Sequence, residues 1–231
     1  MATQLHQQLK HHFVSDESRH EVTVDGYRID AIDSNGRLIE VQCASLAAIR
    51  DKVRNLVQNH QVIVVKPLAA RKKITRLHRR GGEVLSSRFS PVRESVAHLF
   101  QELVHFAVFP HPRLQLHLLL TEQEEIRVPP SARSSWRKKY SVAERSLTLV
   151  QEELRLRTAA DLWRALKIRV PAEFTTADMV QTGELPRWLA QKAAWCFRRM
   201  NYFEVAGKQG NSIVYRIPTA RKSRKPADRA A

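Results

Sequence analysis

Residues 20–43, HEVTVDGYRIDAIDSNGRLIEVQC, hold three β-rich runs separated by two turn signals, Asp25-Gly26 and Ser34-Asn35-Gly36. An Asp-Gly pair suits the left-handed backbone of a two-residue hairpin turn, and that turn pairs Val24 with Tyr27, Val22 with Ile29 and Glu21 with Asp30. The second turn allows two registers. A two-residue Asn35-Gly36 turn sets Asp30 opposite Val41, whereas a three-residue loop with Gly36 left-handed sets it opposite Glu40. Burial favours the second, because it gathers Val22, Val24, Tyr27, Ile29, Ala31, Ile39, Val41 and Cys43 on one face. A slip of one residue would scramble that separation. The segment is expected to be a three-stranded antiparallel meander.

On its polar face Glu21, Asp30 and Glu40 form a cross-strand row, with Arg28 and Gln42 alongside. Neighbours in such a row stand about 5 Å apart, close enough for strong repulsion. A divalent cation relieves it, and hard cations such as Mg2+ choose carboxylate oxygens. The other reading of the same residues is a solvated face whose acids pair with Arg28, Arg37 and Arg50.

The flanking pattern extends the element order. Leu5, Leu9 and Phe13 recur at helical spacing before the meander. Ser45 caps a helix whose Ile49, Val53, Leu56 and His60 form one stripe. The apolar run QVIVVKPL then reads as a buried strand reached by a helical crossover. The succession is α-β-β-β-α-β with a mixed sheet, over residues 1–78. Residues 79–150 read as an α/β extension, with a helix in SPVRESVAHLFQELVHF, a strand in RLQLHLLL and a basic linker or loop at 129–141.

From residue 151 onward Thr158 caps AADLWRALKI, Thr175 caps TADMVQT, and Pro186 takes the first turn of PRWLAQKAAWCFRRMN. The closing YFEVAGKQGNSIVYRI reads as a β-hairpin. Three helices followed by a hairpin make a winged helix-turn-helix over 151–217, leaving 218–231 as a basic flexible tail. In the third helix Leu189, Ala193, Phe197 and Met200 face the core, and Trp163, Trp188 and Trp195 are expected to pack. Arg187, Gln191, Trp195, Arg198 and Arg199 offer a basic face suited to a major groove, and Lys208 in the wing reaches a phosphate.

Charge agrees with that assignment. The chain carries 39 Lys/Arg against 23 Asp/Glu, net +16, yet residues 1–66 hold eight of each. The whole surplus follows Lys66, in RKKITRLHRR, RSSWRKKY, the 187–199 helix and RKSRKPADR. A basic surface of this size points to phosphate contacts, with DNA the expected partner and RNA the alternative; general solubility is the other use of such charge. The apolar runs are too short for a bilayer, and the N-terminus lacks the apolar core of a signal peptide. Two cysteines fit a reducing compartment, so a soluble cytoplasmic protein without a membrane partner is expected, and a homodimer is left open. HExxH, CxxC, GxxxxGK[ST] and GxGxxG motifs are missing, so nucleotide binding is not expected.

An Asp, then Glu-x-Gln ten residues on, within α-β-β-β-α-β, resembles the PD-(D/E)xK nuclease superfamily over roughly residues 1–70. The whole chain also looks like an uncharacterised bacterial family, with LHQQLK before the meander and a winged helix after it. The superfamily resemblance implies a restriction endonuclease-like core in which Asp30 and Glu40 hold Mg2+ or Mn2+, Gln42 positions the attacking water, and Glu21 adds a further acid. Gln42 stands where lysine is usual; it orients water but carries no charge. Lys10 is a candidate replacement, with an ordinary surface lysine as the alternative. The function expected is metal-dependent DNA endonuclease action targeted by the winged helix, the alternative being a non-catalytic DNA-binding regulator or structural protein on a degenerate nuclease fold.

Overall fold

A computed structural model of the chain describes residues 3–130, 139–183 and 185–218. It falls into two compact units, Met1–Ile168 and Arg169–Ala231.

In the first unit Thr3 caps α1 (Gln4–Phe13), which buries Leu5 and Leu9. The meander follows as β1 (His20–Val24), β2 (Tyr27–Ile32) and β3 (Leu38–Val41). Ser45 opens a single 3-10 turn that runs into α2 (Arg50–Leu56), and β4 (Val62–Leu77) comes next. The order α-β-β-β-α-β is thus the one read from the sequence.

Both hairpin registers hold as well. Val24 pairs with Tyr27 and Val22 with Ile29, while Ala31 pairs with Ile39 and Ile32 with Leu38. The second register leaves Ser34-Asn35-Gly36 as the loop, with Gly36 left-handed at φ +75°. Asp33 closes it: its Oδ1 accepts the N–H groups of Asn35 and Arg37, each at 2.9 Å.

The sheet is mixed and larger than a six-element core requires. Its order is β1-β2-β3-β4-β6-β7, with β5 (Val84–Phe89) joined to the distal part of β4. β3, β4 and β6 (Leu114–Val128) run parallel, and β7 (Ser141–Leu156) is antiparallel to β6. β4 continues well past the expected QVIVVKPL, taking RKKITRL into the strand. Pro67 fits because β3 pairing ends at Val65 and β5 pairing begins at Lys73, so no strand calls for its missing N–H. A return segment fills that gap, with Ala69 N–H donating to Glu94 Oε2 at 2.6 Å and Glu94 N–H to Ala69 O at 3.0 Å.

These ladders correct the expected boundaries at 78 and 151. β4, β6 and β7 share one sheet, and β7 is paired from Ser141 to Leu156, so neither a separate 79–150 extension nor a domain starting at 151 exists. The helix expected around 90–106 is confined to a turn at Val96–His98 and α3 (Leu99–Leu103), because Ser95 caps it midway, its N–H bonded to His98 Nδ1 at 3.0 Å. α1 ties back to β7 through Gln8 Oε1, which accepts the Leu147 N–H at 2.7 Å. α4 (Ala159–Ala165) closes the unit behind the Thr158–Asp161 capping box.

The second unit holds β8 (Glu173–Phe174), α5 (Thr176–Gly183), α6 (Arg187–Arg199), β9 (Glu204–Gln209) and β10 (Ser212–Arg216). Its sheet order is β8-β10-β9. Thr175 caps α5 as expected, accepting the Ala177 N–H at 3.2 Å. Pro186 precedes α6 as its cap rather than lying in the first turn. The core is aromatic: Phe203 packs on Phe197 at 4.8 Å and on Phe174 at 5.0 Å between ring centroids. Leu189, Ala193 and Phe197 are buried as expected, Met200 only partly. Residues 131–138 of the basic segment and 219–231 of the tail lie outside the described residues. Among the described residues no helix is long and apolar enough to cross a membrane.

Candidate functional site

The β2–β3 ladder stops at Ala31 and Ile39. One step further, antiparallel alternation would bond the Val41 N–H to the carbonyl of Ile29. It donates instead to Asp30 Oδ2, at 2.8 Å, and the Asp30 N–H lies against the Glu40 carboxylate. Two acids therefore sit where the strands part, next to each other as the three-residue loop requires. Glu21 is opposite Asp30, between the Val22–Ile29 and His20–Ala31 pairs.

Helices on either side supply the polar partners. From α1, His6 Nε2 is 3.2 Å from Asp30 Oδ2, and Lys10 pairs with Glu21. From α2, Lys52 Nζ is 2.5 Å from Glu40 Oε1 and also donates to the Arg28 carbonyl. Lys10 is only 2% exposed, so the surface-lysine alternative is corrected: its side chain is buried and its ammonium reaches Glu21. Of the three arginines considered as partners, Arg28 alone reaches the row, at 2.6 Å from Glu21. Arg37 pairs with Asp33 and Arg50 with Asp51.

The two neighbouring acids differ in acidity. Burial works against ionisation of Asp30, but the hydrogen bonds from His6 and Val41 outweigh it and hold its carboxyl below the usual range. Burial dominates at Glu40, which is 4% exposed, and with the Asp30 charge beside it pushes the carboxyl up to about 7 despite Lys52. At Glu21 burial is again outweighed, here by Lys10 and Arg28, and the carboxyl is lowered. The row thus holds one held anion, one proton-exchanging acid, and a third acid already neutralised.

Gln42 is half-buried, and its Oε1 accepts the Ala44 N–H at 3.2 Å. Cys43 beside it is no nucleophile, since burial pushes its thiol up to about 11. Among the described residues no group of three or more His, Cys, Asp or Glu is arranged to hold a metal ion. The sequence reading missed His6 and Lys52. Both carried a signal: Lys52 falls in the apolar stripe of α2, four residues before buried Leu56, and His6 precedes Lys10 by one turn beside Leu5 and Leu9.

In the second unit Arg187, Gln191 and Arg198 are exposed along α6, and Lys208 is exposed on β9. Arg199 is half-buried, its guanidinium 4.9 Å from the Trp195 ring centre. Trp188 and Trp195 are 45% and 50% exposed, which corrects their assignment to packing: the small residues Ala190, Ala193 and Ala194 fill the space beneath α6.

Fold and site define a mixed α/β protein with a buried, counter-charged acidic pair at a strand divergence. Residues 3–157 match the family described as Domain of unknown function (DUF8091), and the chain belongs to that family. The match ends one residue past β7. An uncharacterized protein of Treponema pallidum (strain Nichols) is 30% identical over 225 residues, covering 97% of this chain and 88% of that protein. No solved structure matches the chain.

Proposed function

We propose that the protein is a divalent-metal-dependent DNA endonuclease whose C-terminal unit is a DNA-binding winged helix. The observation that carries this reading is the adjacent Asp30–Glu40 pair at the end of the β2–β3 ladder, within an α-β-β-β-α-β succession. The donor set suits Mg2+, which needs only one or two carboxylates beside water and substrate phosphate. Lys52, 2.5 Å from Glu40 Oε1, already places a cation there. When bound, the metal ion would lower the pKa of the attacking water and offset charge on the phosphate.

The protein's own groups do the rest. Asp30, held as an anion by the hydrogen bonds from His6 and Val41, would be the first ligand. Glu40, its carboxyl pushed up to about 7 by burial, would be the second ligand once deprotonated. Lys52, now paired with Glu40, would supply the positive charge that Gln42 lacks. In the second unit, the sheet order β8-β10-β9 around α5 and α6 supports the winged-helix reading, with Arg187, Gln191 and Arg198 presented to the groove.

The test is cleavage of supercoiled plasmid and branched DNA by the full chain with Mg2+ or Mn2+. Cleavage is expected, and Asp30→Asn or Glu40→Gln should abolish it while leaving DNA affinity equal or higher. DNA binding without cleavage by the wild type would instead support the regulator. That second reading has its own observation: the Gln42 side chain is folded back onto Ala44 rather than aimed at the acids.

A further inference from the structure

The two faces of the distal sheet, where β5, β4, β6 and β7 run side by side, are charged differently. On one face the cations are answered: Arg71 is 3.7 Å from Glu122, Lys73 is 3.3 Å from Glu124, and Arg71 also covers the Phe89 ring at 4.0 Å. On the other face the register aligns Arg76 with Ser86 and Arg127, and Ile74 with Arg88 and Glu125. Glu125 is 2% exposed and is already shared by Lys72, Arg127 and Arg145, at 3.9, 2.6 and 2.9 Å.

Arg76 and Arg88 are left over. Both are exposed, and neither has an acidic partner among the described residues. With Arg127, Lys139, Ser86 and Tyr140 they line a groove of about 220 Å3, in which the Arg127 guanidinium lies 3.8 Å from the Tyr140 ring centre. Adjacent strands are about 4.8 Å apart and alternate residues about 6.6 Å, so the groove presents a lattice of closely spaced cations around donor hydroxyls. Its complement is a closely spaced row of anions, such as the phosphates of a duplex, which carries one charge per roughly 1.7 Å of axis.

We propose that this face of the distal sheet is a phosphate-backbone contact surface for duplex DNA, with Arg76 and Arg88 as its unpaired cations. The proposal rests on the reading of the protein as DNA-binding, and it gives the nuclease unit a grip on DNA of its own, separate from α6. Within RKKITRLHRR, β4 carries the run as far as Leu77 and displays Arg76 on this face.

The test measures affinity of the full chain for a 30-bp duplex by fluorescence anisotropy across a salt series. Arg76→Ala/Arg88→Ala should lose affinity about tenfold and flatten the log–log salt slope by about 2, the loss of two phosphate contacts. Arg71→Ala/Lys73→Ala removes the same charge from the compensated face and should change both far less. Equal losses from the two pairs would reduce the effect to net charge and overturn the proposal, as would wild-type affinity and slope in Arg76→Ala/Arg88→Ala, or no duplex binding by the wild type. Cleavage, scored separately, keeps the two readings apart: a non-cleaving wild type whose Arg76→Ala/Arg88→Ala variant still loses affinity sinks the nuclease and leaves the surface standing.

Discussion

The Asp30 carboxylate meets the Val41 N–H at 2.8 Å, in the position a continued ladder would give to the Ile29 carbonyl. A proposed metal ligand is therefore also a joint between two strands. Asp30→Ala leaves the buried Val41 N–H without an acceptor and should cost about 1–3 kcal/mol in urea unfolding with chelator present. Asp30→Asn keeps an acceptor oxygen and should cost less. Equal stability of Asp30→Ala and wild type would show that the bond adds nothing.

Glu40 gives the metal-free protein a pH signature. Its folded value of about 7 lies above the roughly 4.3 of an unfolded glutamate, so the folded state holds more protons between those limits. Stability from this group is present below the lower value and falls as pH rises to the upper one, by on the order of 4 kcal/mol in all. Glu40→Gln should remove that slope between pH 5 and pH 8. Identical pH profiles for variant and wild type would contradict the raised pKa of Glu40.

Lys52 and Gln42 test where the positive charge of the site resides. Lys52→Gln should lower cleavage by about 100-fold, the range of one positioned electrostatic donor. Gln42→Lys should leave partial activity at most, since Lys52 already occupies the approach to Glu40. A gain of cleavage in Gln42→Lys would identify the native site as a degenerate one.

Asp33 governs the loop that sets the register. Burial opposes its ionisation, but the Arg37 N–H and side chain and the Asn35 N–H together hold its carboxyl below the usual range. Its contribution is present above the unfolded carboxylate value and is lost as pH falls through the folded one. Asp33→Ala should cost about 1–3 kcal/mol at pH 7, and the deficit should shrink in acid. A deficit independent of pH would assign Asp33 a purely steric role.

What could be read from the sequence was local. Asp25-Gly26 and the left-handed Gly36 set two registers through turn chemistry, and those registers brought Asp30 to Glu40. What escaped was non-local. The continuation of β4 past Leu68 rests on pairing with β6, which begins at Leu114, out of reach of any local pattern. β7 was split for a related reason: half-exposed on both faces, SVAERSLTLVQEELRL lacks clean alternation. The helical spacing of His6 and Lys52 marks their faces, but which acids they meet is set only once two helices have been laid against the sheet.

The bond from Gln8 to Leu147 joins residues 139 positions apart, and that separation sets a timetable for synthesis. The first helix leaves the ribosome long before its platform exists, for the strand it docks on is among the last of its sheet to be made. Until then Leu5 and Leu9 have only part of their seat, formed with Ala31, Ile39 and Val41, while the partners of His6 and Lys10 lie only 24 and 11 positions away. A contact as distant in sequence as Gln8 to Leu147 closes late, so the acidic row is within reach of its first-helix partners early in synthesis, while the tie to β7 closes only when the sheet is finished.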